Sequence, residues 1–295
     1  MKPYTLCSVA PGTAYDAFAV TTYTAPAGAG LPDDYTAFVA VPGGIAAYAA
    51  AEGRVDVYAD PSPGEGFASP KTVQVTPGHD LVVATPIGTA TYAAGYTAAT
   101  GETTFYATGS GEPQPLNTLA LPAGATTLLP FQGWDGGQWR GGSYLLVYAI
   151  GTGVVGTFQL ALDGNAVTAT PVWRPAKPWA EGWARVTPFP LGTANYFLKT
   201  NVKYGHVFID HLMDDASEGS HPAAKDLPLP LDLTATTAFV LGNDPCFATY
   251  DAATGAVTFN RFRGDVQGWT QSATATAVTG GTQAAALGEA TVLLY

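Results

Sequence analysis

An aromatic residue followed five positions later by glycine recurs along this chain, and that spacing limits the fold more than any other feature. The copies are Tyr48/Gly53, Tyr96/Gly101, Tyr148/Gly153 and Tyr250/Gly255; Thr200/Gly205 keeps the glycine and has lost the ring. Successive anchors lie about fifty residues apart. Tyr295 supplies a sixth anchor, and stepping past it around to Tyr48 covers one more period. Alternating apolar pairs follow most copies: Val55 and Val57, Thr103 and Phe105, Val207 and Ile209, Val257 and Phe259. The third copy has Val155 and then Phe158, a one-residue delay that predicts a bulge. Upstream sit aliphatic–glycine pairs: Ile87-Gly88, Leu191-Gly192, Leu241-Gly242 and Leu287-Gly288.

Each period has room for four short strands, as at 196–200, 206–212, 227–233 and 237–241. A four-strand unit repeated six times predicts an all-β fold, a six-bladed β-propeller forming one domain over residues 1–295. We take the anchor strand as the innermost of each blade. The last strand, 290–295, then begins a blade that 4–9 and 15–23 complete, which closes the ring and removes its open edge. Composition agrees with this. Only 12% of residues are charged, against 35 glycines and 23 prolines, which favours turns and short strands over long helices. The 47% apolar share is enough for a large core.

The net charge of −11, with 12 Lys and Arg spread along the chain, excludes a phosphate-backbone partner and disfavours an anionic membrane surface. No apolar run approaches the roughly 18 residues of a membrane span. Met1-Lys2-Pro3-Tyr4 lacks the layout of a signal peptide, so the expected compartment is the cytosol, or the exterior by a route without one. Cys7 and Cys246 form neither a disulfide framework nor a CxxC pair and read as buried free thiols.

Three segments carry candidate chemistry. Five of the six tryptophans fall between residues 134 and 183. Phe189 to Tyr196 spans seven positions, but the equivalent Phe131 to Tyr144 spans thirteen, so a loop is inserted there. It carries Trp134, Asp135, Gln138, Trp139 and Arg140, two flat rings beside groups that can fork onto hydroxyls. A second group, Trp173, Trp179 and Trp183, is expected on the opposite rim, with the Gly182-Trp183 and Gly268-Trp269 pairs marking a blade-packing position. The third segment runs from His206 to His221. Strand alternation puts His206 and Asp210 on one face, a candidate acid–base pair. Asp214, Asp215, Glu218 and His221 follow in a loop as candidate Ca²⁺ ligands, although their spacing matches no EF-hand. No other cofactor is indicated.

The blade phrase Gly182-Trp183-x4-Pro188-Phe189-x-Leu191-Gly192-x3-Tyr196, followed by a glycine turn, resembles the blades of lectin-like propellers, the tectonin-type and fucose-binding lectins among them. The resemblance implies sugar binding between blades, at several sites per ring, without catalysis. This chain departs from that pattern: its packing residues recur, while the Trp/Arg loop and the acidic loop occur once. A single decorated sector fits a glycan-binding module with one dominant site. The alternative is a small-molecule enzyme, a cyclase or lyase, working at the mouth of the channel.

Overall fold

The computed structural model describes every residue except 14–16, 27, 42, 63, 109–112, 136–137, 192–193, 213–221 and 288–290. The described residues form twenty-three strands and no helix, so none is long and apolar enough to cross a membrane.

The N-terminal strands are β1 (Thr5–Pro11) and β2 (Phe18–Thr24). Blade 1 follows as β3 (Ala37–Val41), β4 (Gly44–Ala49), β5 (Arg54–Ala59) and β6 (Lys71–Gln74). Blade 2 is β7 (Leu81–Ile87), β8 (Ala90–Thr97), β9 (Glu102–Ala107) and β10 (Gln114–Ala120). Blade 3 is β11 (Thr127–Asp135), β12 (Gln138–Tyr148), β13 (Val155–Asp163) and β14 (Ala166–Trp173). Blade 4 shows three strands, β15 (Trp183–Leu191), β16 (Ala194–Asn201) and β17 (His206–Leu212), and a bridge from Ile209 to Ala224 stands at its outer edge. Blade 5 is β18 (Ala235–Leu241), β19 (Asp244–Asp251), β20 (Ala256–Phe262) and β21 (Trp269–Thr276). Blade 6 joins β22 (Ala284–Leu287) and β23 (Thr291–Leu294) to β1 and β2, in the order β2-β1-β23-β22.

The chain is a six-bladed β-propeller. β3, β7, β11, β15, β18 and β22 each touch the next, and β22 touches β3, so these six strands line the centre. This corrects the expected strand order. The anchor tyrosines lie on the second strand of each blade, and the final strand is likewise a second strand, preceded by β22. Closure by both termini does occur: β1 pairs antiparallel with β23 from Thr5↔Leu294 to Ser8↔Thr291. The register of β12 on β13 runs unbroken through Phe158, and the irregularity falls on the other edge, against β14.

The second-strand position explains what the anchor does. From there the phenol reaches the link to the next blade. Tyr96 Oη donates to Pro122 O (2.6 Å) and accepts from Ala125 N (2.9 Å). Tyr48 repeats the pattern on Thr76 O and His79 N, Tyr148 on Ala180 O and Trp183 N, and Tyr250 on Val278 O and Gly281 N. Tyr295 donates to Pro32 O across the closed ring. In blade 4 Thr200 is too short for this, and its buried hydroxyl has no partner among the described residues. The glycine of the pair turns the chain into the third strand. Gly101 sits at φ +77°, and a Cβ there would lie 2.1 Å from Leu121 O, so any side chain is excluded twice over. Tyr96→Phe strands the part-buried Pro122 carbonyl and the buried Ala125 N–H, and we expect it to lower unfolding stability by about 1–3 kcal/mol. A change below about 0.5 kcal/mol in urea denaturation would remove the latch from the account.

Neighbouring blades are held by clusters of buried apolar side chains. Among the described residues, five of the six seams contain one: blades 5/6, 6/1, 2/3, 3/4 and 4/5. Cys7 and Cys246 share the 5/6 cluster as free buried thiols, and burial pushes both pKa values up to about 12.

Candidate functional site

The remaining seam, between blades 1 and 2, holds a cavity of 220 Å³. Its cause can be followed along the repeat. Three residues before each anchor, the second strand points at the preceding blade. The residues there are Ile45, Ala93, Leu145, Phe197, Phe247 and Val292, so blade 2 alone has alanine. One residue before the anchor stand Ala47, Gly95, Val147, Lys199, Thr249 and Leu294, and blade 2 alone has glycine. The facing wall carries only valine and alanine: Val39, Val41 and Ala46 from blade 1, with Val55 and Val57 beside them. Ala93 and this short-chained wall leave the seam unfilled, while the space over Gly95 is taken by the His79 ring.

One edge of the cavity is polar. His79, on the link between the two blades and 4% exposed, lies over Gly95, where a Cβ would come within 2.3 Å of its ring. Tyr106 stands opposite Ala93 in the β8–β9 register. Its Oη lies 2.9 Å from His79 Nε2 and accepts from Thr76 N (3.3 Å). Which of the two donates depends on the imidazole tautomer, and Nδ1 has no partner among the described residues. Tyr48 and Thr108 line the same space, and their hydroxyls donate to backbone carbonyls.

Burial lowers the pKa of His79 from 6.5, against weaker upward pulls from Asp80 and Glu102, and so keeps the ring neutral. The sign of the linkage follows. Below about pH 6.5 the unfolded chain takes up the proton more readily than the folded one, so the contribution of neutral His79 is full above that pH and declines below it. We expect the melting temperature of the wild type to fall more steeply than that of His79→Gln between about pH 6.5 and 5. Parallel curves would show that His79 titrates as it does in the unfolded chain.

The structure separates the residues singled out in the sequence. His206 opens β17, half exposed, with Nδ1 3.3 Å from Asp226 Oδ1. Asp210, four residues further on, is 4% exposed and ion-paired with Lys199, itself 3% exposed. Rings of Trp179 and Trp183 cover the Lys199 ammonium at 3.9 and 4.6 Å. His206 and Asp210 therefore share a strand face but hold different partners. Trp134, Asp135, Gln138, Trp139 and Arg140 lie on the β11–β12 hairpin, where Trp134 pairs with Trp139 and Asp135 with Gln138. Asp214, Asp215, Glu218 and His221 lie outside the described residues. Trp173, Trp179 and Trp183 belong to the link from blade 3 to blade 4 and its flanks, on the rim opposite that hairpin, as expected. Trp183 and Trp269 start an innermost and an outermost strand respectively, so the two Gly-Trp pairs are not one repeat position.

A second, more open cleft lies between blades 6 and 1, beside the rings of Tyr4, Tyr58 and Phe67. Its charges are already matched internally. Arg54 donates to Asp56 (3.0 Å), Glu52 (2.6 Å) and Asp34 (2.8 Å). Asp56 also accepts from the Tyr35 and Thr72 hydroxyls. Burial and those contacts raise the Tyr35 pKa, which keeps the phenol a donor.

The cavity residues were missed because reading the sequence favoured large and charged side chains. The available signal was a deficit: Ala93 and Gly95 in a register where the other blades are mostly larger.

No protein-family model matches the chain, and no curated protein matches it significantly. Solved structures do. A protein of unknown function from Desulfotomaculum acetoxidans aligns at 10% identity over 92% of this chain and 79% of its own, with a TM-score of 0.54. A candidate TolB from Agrobacterium tumefaciens aligns at 14% identity over 100% and 98%, with a TM-score of 0.51. A candidate 6-phosphogluconolactonase from Bacteroides uniformis aligns at 11% identity over 94% and 97%, also at 0.51. At such identities what these proteins share with the chain is the propeller ring, and the likeness shows the fold alone.

Proposed function

We propose that this propeller is a small-molecule-binding protein whose ligand sits between blades 1 and 2. One observation carries the reading: the seam without a core cluster among the described residues is also the seam with an apolar cavity and a buried polar edge. Leaving such a space unfilled costs stability, at about 24 cal/mol per Å³ in one measured series. Occupancy by a ligand offsets that cost. The test is a thermal-shift screen of fragments against the wild type and Ala93→Leu, which restores the side-chain size other blades carry. We expect hits that raise the wild-type melting temperature by several degrees and leave the variant unmoved. Hits that act on both proteins alike, or no hits, would overturn the reading.

A second reading, carbohydrate binding in the manner of lectin propellers, is favoured by the β11–β12 hairpin. The other first-to-second turns close at pairs such as Leu191↔Ala194 and Leu241↔Asp244, whereas this hairpin runs on to Asp135↔Gln138 and brings Trp134 and Trp139 to one register position. A glycan array of the wild type beside Trp134→Ala/Trp139→Ala tests it. Binding that the variant loses supports the reading, and binding by both or by neither removes it.

A further inference from the structure

The tyrosine latch leaves a second hollow, separate from the cavity between blades 1 and 2. At that first seam the anchor phenol receives the N–H of His79, whose ring lies over Gly95, one residue before the next anchor. Between blades 3 and 4 it receives the N–H of Trp183, whose ring reaches Lys199, the same position two blades on. Between blades 2 and 3 that N–H belongs to Ala125, and the residue before the next anchor is Val147. A methyl group thus stands where the other two links carry a ring. A pocket of 150 Å³ opens there, lined by Pro122, Ala123, Ala125, Val147, Ala149 and Val155.

The charged residue of the lining is Arg174. It follows the outermost strand of blade 3 and crosses back over Gly156, where a Cβ would lie 3.5 Å from its Cγ. Its guanidinium carbon sits 5.6 Å from the centre of the Phe158 ring. A guanidinium that packs on a ring keeps its N–H groups for a partner at its edge. Acidic residues outnumber Lys and Arg by 23 to 12, and Arg54, Lys199, Lys203 and Arg263 each hold a carboxylate. Arg174 has no carboxylate within ion-pair distance among the described residues, and residues 121–126, 147–156 and 171–182, which build this part of the rim, are all described.

We propose that this pocket binds a small monocarboxylate with one compact apolar group, a six-membered ring or a branched chain of similar size. The volume sets the apolar part, because an engineered cavity of roughly 150 Å³ in another protein takes benzene. Arg174 sets the charged part, because its planar fork matches a carboxylate with two parallel hydrogen bonds. The remaining lining is alanine, valine, proline and glycine, so a second charge or a row of hydroxyls would lose water and gain no side-chain partner. The pocket and the blade 1/2 cavity share no lining residue, so the two sites can fail separately.

The experiment is ligand-observed NMR titration of the full chain with benzoate, benzyl alcohol and benzylamine, repeated on Arg174→Gln, Ala123→Phe and Ala93→Leu. Arg174 and Ala123 are exposed, so neither substitution disturbs the core. We expect benzoate to bind the wild type with a Kd of about 1 mM, ordinary for a ligand of roughly nine non-hydrogen atoms, and more tightly than the other two probes. In Arg174→Gln its affinity should fall about fivefold, the size of one charge-assisted pair at a half-open site, while benzyl alcohol is unaffected. Ala123→Phe, which narrows the mouth, should weaken benzoate as well, and Ala93→Leu, in the other cavity, should leave it unchanged. Four results would overturn the site: benzylamine as the tightest probe, a loss of less than about twofold in Arg174→Gln, full binding by Ala123→Phe, or no benzoate binding at about 20 mM. A loss confined to Ala93→Leu would also overturn it and would leave the blade 1/2 reading standing.

Discussion

Asp210→Ala is expected to destabilise the protein by about 3–5 kcal/mol, among the largest effects of any single substitution. The reason is what stays behind. Lys199 lies in the seam between blades 3 and 4 at 3% exposure, under two tryptophan rings, and its carboxylate partner comes from the adjacent strand. The rings favour a cation but carry no net charge, so they do not replace the carboxylate. Without Asp210 that ion pair is gone, while the desolvation of the buried ammonium remains. Replacing both partners, as in Lys199→Met/Asp210→Leu, removes the charges together and is expected to regain most of the loss, because an apolar pair of similar volume has no desolvation penalty to recover. Urea denaturation of the three proteins checks this. A loss below about 1 kcal/mol in Asp210→Ala, or a double variant less stable than the single one, would show that the pair is not closed off from water.

Deleting residues 1–24 is expected to do more and to abolish cooperative unfolding altogether. β1 and β2 are the outer half of blade 6, and Leu6, Cys7 and Val9 belong to the cores on both sides of it. Without them β23 presents an unpaired edge of backbone groups, and two of the six seams lose part of their filling. The predicted signature is aggregation or a broad, non-cooperative melt. Adding the 1–24 peptide in excess should sharpen the transition, since the missing strands bind only the folded ring. A truncated chain that melts in one sharp step near the wild-type temperature would mean the ring does not depend on this closure.

Much of this architecture was legible from the chain. Tyr48, Tyr96, Tyr148, Tyr250 and Tyr295 stood out because one position demands a phenol long enough to reach the link to the next blade. Gly53, Gly101, Gly153 and Gly255 stood out because each combines a left-handed backbone with a carbonyl close by. The phase of the repeat was not legible. Periodicity sets the length of a unit but not where it begins: the aliphatic residues of the recurring aliphatic–glycine pairs, Ile87, Leu191, Leu241 and Leu287, end the true first strands, yet nothing in the pair says that its strand is the innermost. The candidate site was harder. Trp179 and Trp183 drew notice as rings, but the structure spends them on enclosing Lys199. Asp210 looked available for proton transfer because its partner, Lys199, comes from a neighbouring strand, and sequence spacing does not show that pairing. Ala93 and Gly95 were visible in register and still easy to overlook, since a missing side chain carries no chemistry of its own.

The shared blade also sets a timetable for synthesis. β1 leaves the ribosome before the other strands of the ring, and its partner β23 follows about 280 residues later, an interval of roughly 15–60 s at ordinary elongation rates. Throughout that interval the nascent chain can stack blades but cannot close the ring, and the strand bearing Leu6, Cys7 and Val9 waits without its neighbour. A translation pause placed before Thr291 would prolong that exposure, and nascent-chain chaperones would have most to hold at the end that was made first.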